Sequence, residues 1–181
     1  MNIYKLQFTQ LQTEIIRFLM LFPEKEFNQR RIAQSLGFSM TAVSKSLPLL
    51  EKLELAAIKK DPESGRLSIR LNTDNPKITG LKRAENLRLF YESGLAEFLE
   101  EKFAGASIIL FGSYSRGEDV SSSDIDIVIL GRKEKAADMK EYEKTLSRKI
   151  SLHFYDSLHS INNNLKENII NGIVISGGIQ L

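Results

Sequence analysis

The chain has 181 residues, 42% hydrophobic and 27% charged. That is apolar material for one medium domain or two small ones, and it argues against disorder. There is no cysteine, which excludes disulfides and cysteine-based zinc sites and fits a reducing interior. Net charge is +2 but uneven: residues 1–79 hold twelve Lys/Arg against eight Asp/Glu, and residues 80–181 hold thirteen against fifteen. A mildly basic front is compatible with nucleic acid. No apolar run approaches the roughly 18 residues of a membrane span. The start, MNIYKLQFTQ, lacks the basic and apolar regions of a signal peptide. We therefore expect a soluble, cytoplasmic protein.

Leu11, Ile15, Phe18, Leu19 and Phe22 recur at helical spacing and predict an amphipathic helix over about 8–22, stopped by Pro23. Asn28 is a candidate N-cap for a helix over Gln29–Leu36, with Gly37 ending it. Ser39 then caps a third helix from Met40 to about Leu53, with Val43, Leu47 and Leu50 inward. Strands are expected over Leu55–Lys59 and Arg66–Leu71, joined by a turn at Asp61–Gly65. Residues 30–60, RRIAQSLGFSMTAVSKSLPLLEKLELAAIKK, resemble a winged helix-turn-helix of transcription regulators. The resemblance implies double-stranded DNA as a partner, with the third helix in the major groove. Ser39, Thr41, Ser44 and Lys45 would face bases and phosphates, and Lys59, Lys60 and Arg66 would touch the backbone from the wing. Pro48 departs from such a helix: it removes an N–H, crowds the Ser44 carbonyl and predicts a bend that shortens the readable face. The competing reading is a module that only packs or pairs, and a homodimer fits either one.

Asn72–Thr79 is polar, holds Pro76 and reads as a boundary. A helix follows from about Leu81 to Phe103, with Leu87, Phe90, Leu95, Phe98, Leu99 and Phe103 inward. Gly94 inside it leaves two shorter helices open as an alternative. The expected division is 1–74, a connecting helix over 75–104, and a second domain over 105–181.

The second domain carries the chemistry. Asp124 and Asp126 stand at i and i+2 of an apolar, β-branched run. In a strand both point one way, while Ile125, Ile127 and Ile129 point into a core. Adjacent carboxylates repel unless a cation lies between them, and hard divalent ions such as Mg²⁺ want such oxygens. Upstream, Gly112-Ser113 ends the apolar run Ser107–Phe111 and opens a short helix. Glycine there lets the backbone approach a phosphate, which free N–H groups can hold. Phosphate grip beside metal-binding carboxylates reads as phosphoryl or nucleotidyl transfer.

Gly112-Ser113, ten residues, then Asp124-Ile125-Asp126 resembles the signature of the minimal nucleotidyltransferases, in the superfamily of DNA polymerase beta. Arg116-Gly117-Glu118 and Ser123 also fit that pattern. The resemblance implies an α+β fold: a small mixed sheet with helices mainly on one side, joined to the winged helix-turn-helix. It implies one or two Mg²⁺ ions on Asp124 and Asp126, and a nucleoside triphosphate, ATP among the candidates. Gly112 and Ser113 would hold the β- and γ-phosphates, and Arg116 would add charge to them. Relatives often act as antitoxins that adenylylate a partner toxin, so a toxin-like protein acceptor is among the implied partners. A protein Tyr or Ser, a small molecule and an RNA end all remain open as hydroxyl acceptors.

Further on, Gly131 ends the second strand and Glu134 to about Ser147 reads as helix, with Ala137, Tyr142 and Leu146 inward. A strand is expected over Lys149–Phe154, a last helix over Leu158–Asn171 capped by Ser157, and a short strand over Ile173–Ile175. The family's third carboxylate should fall at Ser151 and is missing. His153 shares the Ser151 face and is a candidate base, whereas Asp156 has the opposite parity. His159 reads as a helix-surface residue, and the two histidines do not make a metal site. Three functions stay open: an active transferase, a DNA-binding regulator whose second domain binds nucleotide without turnover, or a plain interaction module.

Overall fold

The structure is a computed structural model and describes residues 8–179. The first seven residues, part of the stretch read for a leader, lie outside it. Among the described residues no helix is long and apolar enough to cross a membrane. The chain divides into two compact units, 1–78 and 79–181.

In the first unit, α1 (Gln10–Leu21) opens on a capping box: the Thr9 hydroxyl accepts from Gln12 N–H, and the Gln12 side chain accepts from Thr9 N–H. α2 (Gln29–Leu36) is capped by Asn28 and closed by left-handed Gly37. α3 (Met40–Lys52) is capped by Ser39 and continues past Pro48 for another turn. Strands β1 (Ala56–Lys60) and β2 (Leu67–Leu71) pair antiparallel from Ala56↔Leu71 to Lys60↔Leu67. Asp61 shapes the turn between them, its carboxylate accepting from Ser64 N–H at 2.6 Å and Ser64 hydroxyl at 2.7 Å. These hydrogen bonds hold the exposed Asp61 carboxyl below its usual pKa. Phe27 forms an isolated antiparallel bridge to Ile69, adding a third segment beside β2, which periodicity did not show. Ile15, Leu19, Ile32, Val43, Leu50, Ile69 and Leu71 form the core. Three helices followed by a wing make a winged helix-turn-helix.

α4 (Pro76–Glu92) starts inside the stretch expected to be a linker. Proline suits the first helical position, where its missing N–H has no partner to lose. The long helix expected next is two: Gly94, at φ +76°, separates α4 from α5 (Leu95–Lys102). β3 (Ser107–Phe111), a short α6 (Gly112–Arg116) and β4 (Ile125–Leu130) follow.

Two helix expectations fail after that. Glu134–Met139 is not helical, and α7 covers only Lys140–Leu146. The charged run at Arg132–Lys135 has neither a cap nor an apolar face to bury. β5 (Ile150–Tyr155) comes next. Ser157 then starts only a 3₁₀ turn, Leu158–Ser160. Ile161 is extended, and Asn162 caps α8 (Asn163–Ile170) through a bond from Leu165 N–H. His159 therefore sits on the 3₁₀ turn. β6 (Ile173–Ser176) is last.

The sheet order is β5-β4-β3-β6, with β4 and β5 parallel and the other pairs antiparallel. Ile108, Leu110, Ile125, Ile127 and Ile129 cluster with α4, α5 and α7 residues on one face. Helices do not keep to that side: Leu158, Ile161 and Ile169 cover Ile109, Val128 and Leu130 on the other.

A polar cluster lies inside this unit. The Lys82 ammonium donates to the Asp119 carboxylate and, at 2.5 Å, to the Asp119 carbonyl. Asn86 Nδ2 donates to Asp119 Oδ1 at 2.7 Å and to the Tyr114 carbonyl at 2.9 Å. Arg148 pairs with Asp119 Oδ2 at 3.4 Å. All these side chains are buried. Burial first, and then the Asp119 charge, push the Tyr114 hydroxyl up, so it stays protonated and donates to the Asn86 carbonyl. Gly117, at φ +75°, lets the loop pass α4: a Cβ there would lie 2.3 Å from the Thr79 carbonyl. Asp119→Ala removes the buried carboxylate that Lys82 and Arg148 share and should cost about 3–5 kcal/mol of stability. Urea unfolding followed by circular dichroism checks this, and a loss below about 1 kcal/mol would refute the anchoring role of Asp119.

Candidate active site

Asp126 faces Phe111 across the β3–β4 ladder and Ser151 across the β4–β5 ladder. Asp124 lies one residue ahead of β4 on the same side, by strand alternation. Both acids are half-buried, whereas Ile125, Ile127 and Ile129 are fully buried behind them. β5 supplies two polar neighbours. The Ser151 hydroxyl donates to Asp124 Oδ2 at 3.2 Å, and His153 Nε2 lies 3.4 Å from Asp126 Oδ1. The His153 ring meets Phe111 edge to face at 5.5 Å.

Gly112 sits at φ +76°, and a Cβ there would lie 2.7 Å from Asp126 Oδ2. Only glycine brings the backbone this close to the carboxylate. The turn is fastened by the Ser115 hydroxyl donating to the Gly112 carbonyl at 2.9 Å and Glu118 N–H donating to the Ser113 carbonyl at 3.0 Å. Gly112, Ser113, Asp124 and Asp126 thus gather at one end of the sheet, with Ser151 and His153 beside them. Arg116 instead pairs with Glu118 at 2.7 Å. Asp156 and His159 are exposed and follow the far end of β5.

Among the described residues no group of three His, Asp or Glu is arranged to hold a metal. The donors present are two carboxylates, with a hydroxyl and an imidazole against them. A hard divalent ion that keeps water and takes phosphate oxygens needs only one or two carboxylates. The pair therefore fits a nucleotide-bound cation, not an all-protein cage.

In the first unit, Thr41, Ser44 and Lys45 lie together on the exposed side of α3, opposite Val43, Leu47 and Leu50. The Ser39 hydroxyl is occupied as the cap of α3. Lys59, Lys60 and Arg66 are exposed on the wing. Sequence reasoning passed over Arg30, which lines a cleft of about 290 Å³ with Met40 and Arg66. The Arg30-Arg31 pair was the available signal.

It also passed over a cleft of about 650 Å³ that opens beside Asp124 and is lined by Ser122, Lys140, Lys144 and Lys149. Lys140 and Lys144 stand four apart on α7, but their approach to Lys149 exists only in the fold.

The nucleotidyltransferase domain family matches residues 92–175. A Methanocaldococcus jannaschii chain with the provisional name protein adenylyltransferase MJ1379 is 34% identical over 83 residues, 41% of this chain and 83% of that one. Among solved structures, the adhesin competence repressor AdcR of Streptococcus pyogenes is similar at 19% identity and TM-score 0.41, over 54% of this chain and 69% of that one. S. aureus MepR in complex with DNA is similar at 21% identity and TM-score 0.38, over 52% and 77%. Likenesses that shallow carry no argument, and the winged fold stands on its own elements. The family stretch runs from the end of α4 through β6, the same segment that builds the sheet, the glycine turn and the acidic strand. The chain belongs to the nucleotidyltransferase domain family.

Proposed function

We propose that the second unit transfers a nucleotidyl group from a nucleoside triphosphate, taken as ATP, to a hydroxyl. The observation that carries this is the half-buried Asp124/Asp126 pair with the Gly112 backbone against it. One or two Mg²⁺ ions held by these carboxylates would neutralise phosphate charge and polarise the reacting oxygens. Gly112 and Ser113 take the β- and γ-phosphates. Arg116 joins them by leaving Glu118, since an exposed pair is worth at most about 1 kcal/mol. The acceptor oxygen bonds to the α-phosphorus, the bond to pyrophosphate breaks, and the hydroxyl proton leaves. His153, on the same face, is the group placed to take that proton. The name of the M. jannaschii relative supports a protein hydroxyl as acceptor, and a toxin-like partner fits that class.

The first unit binds double-stranded DNA in this reading, with Thr41, Ser44 and Lys45 at the groove and Lys59, Lys60 and Arg66 on phosphates. Ser39 acts there as a cap. One observation favours a second reading, a regulator that binds nucleotide without turnover: a hydroxyl, Ser151, stands against Asp124 where the family resemblance calls for a third acid.

Four experiments test this. Asp124→Asn with Asp126→Asn abolishes transfer of labelled nucleotide and leaves DNA binding intact; product at the wild-type rate would overturn the transferase. If wild-type chain binds Mg-ATP but labels no acceptor, the second reading replaces the first. Gly112→Ala keeps its circular dichroism but lowers Mg-ATP affinity by about tenfold or more in calorimetry, because the added methyl displaces Asp126. Lys59→Ala with Lys60→Ala reduces the slope of log affinity for DNA against log salt by about 2. A wild-type affinity flat with salt would rule out DNA binding.

A further inference from the structure

We propose that the lysine-lined cleft beside Asp124 seats an acidic segment of the acceptor protein, placing a hydroxyl flanked by Asp or Glu at the carboxylate pair. This rests on nucleotidyl transfer at that pair. The cleft holds about 650 Å³, and Lys140, Lys144 and Lys149 face it together with Ser122. Among the described residues these three lysines have no ion-pair partner. Asp124, Glu143 and Arg148 also line the cleft; Glu143 accepts from Ile150 N–H at 3.0 Å and Arg148 pairs with Asp119, so the three lysines are the cations left to meet an incoming anion. Lys140 and Lys144 stand at i and i+4, so both project from one side of α7.

Position assigns the cleft to the acceptor. β4 lies between β3 and β5. The Gly112 turn leaves the β3 side of the acids, whereas Lys149 precedes β5 on the other side. Nucleotide phosphates on the turn leave the β5 side for the attacking group. Charge argues for a peptide over a nucleic acid. Residues 80–181 carry more acids than bases, so attraction for an anion is confined to this cleft and does not extend along a long polyanion. A local trio of flexible ammonium groups suits carboxylates spread along a few residues.

The test uses the full chain and two labelled peptides, Glu-Glu-Tyr-Glu-Glu and its Gln-flanked counterpart. Anisotropy should show the acidic peptide binding about tenfold tighter at low salt. Lys140→Gln with Lys144→Gln and Lys149→Gln should erase that preference and leave Mg-ATP affinity within about twofold. Equal binding of both peptides overturns the inference. A fall in Mg-ATP affinity in the lysine variant overturns it too, assigning the cleft to the nucleotide's own phosphates. So does lysine-dependent binding of a short oligoribonucleotide tighter than of the acidic peptide. Failure of the transferase reading looks different: the peptide preference persists while no peptide is labelled by wild-type chain.

Discussion

A carboxylate shared by two buried cations holds the loop between the glycine turn and the acidic strand. Asp119 lies midway along that loop, and its partners come from α4 and from the residue before Lys149. Burying ions is costly, and hydrogen bonds to them offset part of the cost. Here Lys82 also reaches the Asp119 carbonyl, Asn86 ties the carboxylate to Tyr114, and Arg148 reaches the Ser147 carbonyl. The outcome is geometric. The start of β4, the turn at Gly112 and the approach to β5 are fixed to one point, so the acids do not depend on a free loop for their position.

The sheet order supplies the other constraint. β4 has a strand on each side, so Asp126 has different neighbours on its two flanks: a side-chain-free backbone at Gly112, and polar side chains on β5. The isoleucines behind the acids anchor the strand, leaving the carboxylates half open to solvent. A rigid back and an accessible front suit a pair that must meet a ligand without moving far.

What could be read from the sequence was local. Asn28, Gly37 and Ser39 cap helices through contacts within four residues, and Gly94 breaks a helix through its own backbone angle. The shared face of Asp124, Asp126, Ser151 and His153 follows from strand parity. Reading failed where neighbouring signals compete. Ser157 looked like a cap, but Asn162 does that work because Ile161 is extended. Pro76 looked like a linker residue and instead begins a helix. Asp119 could not be recognised at all, because its cationic partners lie 37 and 29 residues away. The lysine cleft was hidden for the same reason.

Strand order also bears on synthesis. β3 is an inner strand, but its second neighbour, β6, lies more than sixty residues later in the chain. Until β6 leaves the ribosome, the nascent polypeptide carries Ile108, Ile109 and Leu110 along an open, apolar edge. Such an edge recruits other strands. Translation of this protein therefore passes through an interval in which the inner strand of the finished sheet is still an edge.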